Sequence, residues 1–233
     1  METILVFKVS LIYLQPLILN RADLNIATSY KELKMKNIII EKASKLFLQL
    51  GFKSVTMDDL ADSMGISKKT LYIHFDNKHQ LVSETANSIF EKVSQDIIEI
   101  KRKAANPIEE LHYVKMEAMK YIGNEKSSPN YQLQKYYPKI YEELKRKEYH
   151  YLGGMVKNSL QLGVDSGLFR NEIDLEFISR MYINGMRGIR DIETFPVEEF
   201  KIETLFENYL DYHLRALVTP KGLKTLTNFK STT

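Results

Sequence analysis

The chain has 233 residues, of which 44% are hydrophobic and 27% charged, with a formal net charge of +3 and no cysteine. This is ordinary for a folded chain with a buried core, and it excludes a disulfide-built scaffold, thiolate chemistry and a low-complexity fibre. The positive balance is too mild to announce nucleic acid, so any basic surface must be local.

Residues 1–34 come before the first clear pattern. METILVFKVSLIYLQPLILNR is apolar, but Glu2 stands where a secretory leader carries positive charge, Lys8 interrupts the run, and Pro16 breaks it. It reads as neither a signal peptide nor a membrane span. Met35 opens MKNIIIEKASKLF, which has the form of a protein start. The expectation is that translation begins at Met35 and that residues 1–34 are a loose arm or an extension of the reading frame.

From Lys36 to Gly51 the apolar residues Ile39, Ile40, Ala43, Leu46, Phe47 and Leu50 recur at helical spacing. Phe52 and Val55 follow in a short linker. Thr56 opens a helix over 57–64, with Asp59 placed for a capping box and Asp58 beside it in the dipole-favoured first turn. Gly65 ends that helix where a left-handed residue is needed, and Ser67 caps a further helix over 68–75. A fourth helix begins near Lys78 and stops before Asn106-Pro107. Beyond it, segments 107–123, 130–137, 138–165, 174–191 and 197–217 all carry helical periodicity, and no stretch alternates with period two. The tail after Thr219 is polar and is expected to fray. The fold class is therefore all-α.

Residues 56–75 have the sequence form of a helix-turn-helix. Leu71 and Phe75, spaced i and i+4, point the third helix at a core. That leaves Lys68, Lys69, Thr70, Tyr72 and His74 on its exposed side and N-terminal end, with Lys78 just beyond. Lysine meets phosphates or guanine edges, hydroxyls meet phosphates, and the helix N-terminus offers backbone N–H groups. From Lys36 to Lys92 there are eight Lys/Arg and seven Asp/Glu, and three of the eight fall at 68, 69 and 78. The basicity is a local patch and not that of a basic domain.

From about Leu33 to Val93 the chain resembles the DNA-binding domain of the TetR/AcrR family of bacterial transcriptional regulators. The matching features are A-x-x-L-F at Ala43–Phe47, G-F-x-x-V-T at Gly51–Thr56 and D-L-A at Asp59–Ala61. They continue with M-G-I-S-K-K-T-L-Y at Met64–Tyr72 and H-F-D-N-K at His74–Lys78. The resemblance implies a homodimer on a palindromic double-stranded operator, with DNA contacts at Lys68, Lys69, Thr70, Tyr72, His74 and Lys78. It further implies a three-helix DNA-binding domain over 35–93, a helical ligand-binding and dimerisation domain over 94–218 and a tail over 219–233. Such a protein would be cytoplasmic, bind a small-molecule effector and have no membrane partner. Lys69 departs from the small residue or proline common there in relatives, which leaves base preference open.

The second domain is rich in tyrosine and methionine. A ligand pocket is expected from Tyr113, Met116, Tyr121, Tyr136, Tyr137, Met155 and Tyr182, which would suit a mid-sized apolar or aromatic molecule. These residues also read as plain core and surface. The stripe Ile178, Met181, Gly185 and Ile189, with Phe206, Tyr209 and Leu210, is expected to form a twofold dimer contact, or else an ordinary intramolecular core. A symmetric pair would place two reading helices about 34–36 Å apart.

No P-loop, dinucleotide fingerprint, nucleophile elbow or zinc-protease motif is present, so no cofactor or metal is expected and the reading is not an enzyme. Glu109-x-x-His112 has the spacing of a di-iron helical bundle but lacks a second such pair. A metalloenzyme therefore remains a remote alternative. A DNA-organising protein without ligand control is a nearer one.

Overall fold

The computed structural model describes residues 21–120 and 129–232. They form ten helices: α1 Arg21–Leu50, α2 Met57–Met64, α3 Lys68–His74, α4 Lys78–Lys103, α5 Pro107–Lys120, α6 Pro129–Tyr136, α7 Pro138–Asp165, α8 Leu175–Gly188, α9 Ile202–Leu217 and α10 Pro220–Thr232. Among the described residues there is no strand. One isolated antiparallel bridge joins Phe169 to Val218.

Two hydrophobic cores organise the helices. The first gathers Ile39, Ala43 and Phe47 of α1 with Phe52 and Val55 of the linker, Leu60 of α2, Leu71 and Phe75 around α3, and Leu81, Val82 and Ala86 of α4. This is the apolar set that the helical spacing predicts. Leu133 of α6 and Ile140 of α7 close it from the other side. The second core joins Ile108 and Leu111 of α5, Leu160 of α7, Tyr182 and Ile183 of α8, and Leu210, Leu214 and Leu217 of α9. Burying each such side chain stabilises the fold by roughly 1.5–3 kcal/mol.

Helix α4 starts in the first core and runs on to α5 and α7. Its first turns carry Leu81, Val82 and Ala86 into the first one, while Ile97 is buried further along near α5 and α7. Lys101 at its far end donates to the Met155 carbonyl and to Ser159 Oγ of α7 at 3.1 and 2.9 Å. One continuous rod therefore leads out of the helix-turn-helix unit to α7.

Two boundaries differ from the sequence reading. The first helix begins at Arg21, not Lys36, so residues 21–34 are helical; residues 1–20 lie outside the described set. The tail is also a helix, α10. Thr219 Oγ1 accepts from the Gly222 N–H at 3.1 Å, and Leu226 is buried in the second core. Thr219 before Pro220 is a cap followed by a first-turn proline, a start signal hidden by the polar composition of the segment.

Candidate nucleic-acid interface and interior cavity

The helix-turn-helix is built by caps. Thr56 Oγ1 accepts from the Asp59 N–H at 3.1 Å, and Asp59 Oδ2 accepts from the Thr56 N–H at 2.8 Å. Those bonds to Thr56 hold the Asp59 carboxyl below its ordinary pKa. Gly65 takes the left-handed conformation at φ 64° and its N–H bonds to the Asp62 carbonyl, turning the chain toward α3 without a side-chain penalty. Ser67 Oγ accepts from the Thr70 N–H at 3.1 Å and lies 2.8 Å from the Thr70 hydroxyl. Leu71 and Phe75 are buried, which fixes the outer face of α3.

On that outer face Lys68, Lys69 and Tyr72 are exposed, and Thr70 and His74 are half-buried. Lys68 is paired with Asp58 of α2 at 2.8 Å, with both side chains in solvent; this contact is the main cause of its raised pKa. Lys78 is turned inward. Its Nζ donates to the Lys53 carbonyl at 2.9 Å, and burial, followed by the nearby Lys53, lowers its pKa. It therefore fastens the start of α4 to the turn after α1. Ile73, between Tyr72 and His74, is 66% exposed, and the sequence reading misses it. A signal for it exists: an apolar residue two positions from each core anchor must sit on the opposite face of the helix. Such a side chain suits a thymine methyl group.

The second region encloses a cavity of about 270 Å³. Phe90, Val93 and Ile97 of α4, Leu111 and Val114 of α5, Leu152 and Val156 of α7, and Ile183 and Met186 of α8 supply its apolar wall. Leu48 and Phe52, from the end of α1 and the linker beyond it, also reach it. Ser159 Oγ donates to Glu110 at 2.5 Å, and Lys101 stands 3.6 Å from the same carboxylate. The Tyr182 hydroxyl is buried and has no hydrogen-bond partner among the described residues, and burial raises its pKa well above the usual phenol value.

Of the residues predicted for the pocket, Met155 and Tyr182 line this cavity. Tyr113 and Met116 do not: they point outward from α5, and Tyr113 packs edge-on against Phe229. Tyr136 is exposed beneath the Lys53 and Lys135 ammonium groups. Tyr137 packs against the first core and lies 5.8 Å from the His79 ring. Tyr121 lies outside the described residues. The wall of this cavity is mostly aliphatic.

The predicted dimer stripe also divides. Ile189, Phe206 and Leu210 are buried within the chain's own core, so they cannot face a second copy. Gly185 serves contact inside the protomer. A Cβ there would meet the Tyr209 ring at 2.1 Å, and Tyr209 Oη donates to the Met181 carbonyl at 2.9 Å. Ile178 is half-buried against the second core. Met181 remains exposed, and with it Phe177 and Tyr212, the latter at 72%.

Glu109 accepts from the Ala105 N–H and from Asn106 Nδ2, and His112 Nδ1 lies 3.0 Å from the Ile108 carbonyl, so both serve the start of α5. Among the described residues no three His, Asp or Glu side chains gather as a metal site, and no helix is long and apolar enough to cross a membrane.

These features define a helix-turn-helix unit followed by a second, cavity-bearing helical region. Residues 39–85 match the family model described as bacterial regulatory proteins, tetR family. It is 33% identical over 78 residues to the Staphylococcus aureus (strain Newman) biofilm operon icaADBC HTH-type negative transcriptional regulator IcaR. That match covers 34% of this chain and 42% of IcaR, so the chain spans less than half the length of that relative. It is 24% identical over 149 residues to the HTH-type transcriptional repressor KstR2 of Mycobacterium tuberculosis (strain CDC 1551 / Oshkosh), covering 61% of this chain and 72% of KstR2. A solved regulator from Saccharomonospora viridis in complex with choline aligns with a TM-score of 0.65 at 16% identity, over 80% of this chain and 98% of that one. At that identity the likeness speaks for the fold alone.

Proposed function

We propose that the protein is a homodimeric transcriptional repressor that binds a palindromic operator through α3 and leaves it when a small molecule fills the interior cavity. The carrying observation is the shared position of α4. The same helix that starts at the Lys78 fastening beside α3 lines the cavity with Phe90, Val93 and Ile97. A ligand that displaces these side chains moves the rod on which the reading helix is seated. Its differential affinity for the two arrangements is the coupling. The exposed Phe177, Met181 and Tyr212 offer apolar area for the twofold contact. Repressor names among the relatives support the direction of control.

The test is operator binding by fluorescence anisotropy, with the operator first located by genome-wide binding. Tyr72→Ala and Lys69→Ala are each expected to weaken binding by about 1–3 kcal/mol, and Lys69→Ala to lower the salt slope by about one if it meets a phosphate. Unchanged binding in both variants would refute α3 as the reading helix. Occupancy of many dispersed sites, in place of a few operators, would instead favour a DNA-organising role.

A further inference from the structure

We propose that the molecule taken up by the cavity is an anionic amphiphile, an apolar monocarboxylate whose headgroup pairs with Arg190. This names the effector class and rests on the ligand-controlled reading above.

Arg190 lies just past the end of α8. Its Nε donates to the Met186 carbonyl at 3.1 Å, one of the orphan acceptors at that helix end, which fixes the guanidinium in place. The side chain is half-buried and lines the interior cavity together with Asn130 of α6. Both residues also line an outer groove with Tyr141, Asn184, Arg187 and Asp191. Arg190 therefore stands where the interior meets the surface.

The other charges facing the cavity are already matched. Glu148 is ion-paired with Arg187. Glu110 accepts from Ser159 at 2.5 Å and has Lys101 at 3.6 Å. Among the described residues no carboxylate oxygen lies within 4.0 Å of an Arg190 nitrogen, and no hydrogen bond from Nη1 or Nη2 is formed. Glu148 attracts both Arg187 and Arg190, so one carboxylate faces two guanidinium groups and, beside the Lys101–Glu110 pair, the site keeps an excess of one positive charge. Burial is the main influence on Arg190 and disfavours its charged form, which is the situation an incoming anion relieves. A guanidinium receives a carboxylate through two parallel hydrogen bonds, whereas an ammonium headgroup would have to break one of the existing pairs. The remaining wall is aliphatic and phenyl, from Ile89, Phe90, Val93, Leu144, Leu152 and Met186, and suits the apolar body.

The test is a headgroup series on the full chain. Decanoate, decanol and decyltrimethylammonium are titrated by calorimetry below their micelle concentrations, against the wild type, Arg190→Gln and Arg190→Lys. Decanoate is expected to bind at least about tenfold more tightly than the other two, in keeping with a charge-assisted hydrogen bond. Arg190→Gln should erase that preference and leave decanol binding unchanged, while Arg190→Lys should retain part of it. Decanol or the ammonium binding as well as decanoate would overturn the proposal. So would absent decanoate binding, or decanoate affinity indifferent to Arg190→Gln. If Arg190→Gln does not fold, the wild-type series and Arg190→Lys still decide. Operator release is measured separately. Arg190-dependent decanoate binding that leaves the operator occupied would sink ligand control and keep the site, whereas release by another ligand with no decanoate binding would sink the site alone.

Discussion

The helix-turn-helix unit and the region around the cavity use polar atoms in opposite ways. In the first, hydroxyls and side-chain carbonyls are committed at helix starts: Thr56 to the Asp59 N–H, Ser67 to the Thr70 N–H, and Asn77 to the Gln80 N–H. In the second, the Tyr182 hydroxyl, Arg187 Nη1 and His213 Nε2 are buried with no hydrogen-bond partner among the described residues. Thr85 and Ser94 on α4, the helix joining the two, share that condition. A satisfied, close-packed unit holds one shape and can present a fixed surface to DNA. A region with spare volume and unused polar atoms has something to gain from a guest.

The sharpest way to break this comparison is to cut the same kind of side chain from each region. Leu71 is fully buried behind α3, so Leu71→Ala is expected to cost about 2–5 kcal/mol. Met155 lines existing empty space and is half-buried, so Met155→Ala should cost less than half as much. Urea midpoints at unchanged slope measure both. Equal losses would mean that the cavity wall is packed as tightly as the first core.

A second test uses acid. His213 sits between α8 and α9, its ring stacked on Tyr209 and 5.0 Å from Tyr182, and burial pushes its pKa down to about 4. The unfolded chain, with an ordinary histidine near 6.5, binds the proton first. Between about 6.5 and about 4 the unfolded state holds more protons, so stability falls as pH drops through that window. Below it the loss is complete. The size is about 3 kcal/mol at most, since each pH unit separating the folded and unfolded values is worth roughly 1.36 kcal/mol. Denaturant melts at pH 7.5 and 4.5 should show the loss in the wild type and a smaller one in His213→Phe. The same slope in both would move the acid sensitivity elsewhere, for example to caps such as Asp59, whose lowered pKa also costs stability in acid but at lower pH.

These two regions are also unequally legible in the sequence. Caps, the glycine turn and the i, i+4 pair Leu71 and Phe75 are local rules, and the first unit follows from them residue by residue. The helices of the second region are legible for the same reason. The location of the cavity is not, because it depends on which faces of seven helices meet. Tyr182 and Met155 line it while Tyr113 and Met116 face outward, and nothing in local spacing separates those pairs. Gly185 reads as a dimer contact because its partner, Tyr209 on the next helix, lies 24 positions away in the chain. The bond from Lys78 to the Lys53 carbonyl is a tertiary event that local spacing does not show.

The finest discrimination comes from deleting one hydroxyl in each region. Thr56→Ala removes the acceptor of the Asp59 N–H and leaves that donor at an exposed helix start, at a cost of about 1 kcal/mol. Tyr182→Phe removes a hydroxyl that is buried without a partner. An unsatisfied buried group carries a desolvation penalty of about 1–3 kcal/mol, so its removal is expected to leave the ligand-free protein as stable or to stabilise it by about 1 kcal/mol. The two changes should therefore differ in sign when thermal or urea melts are compared in the same buffer. If Tyr182→Phe destabilises as much as Thr56→Ala, then a cavity water bonds that hydroxyl, and the free protein's cavity is already filled with solvent that a ligand must displace.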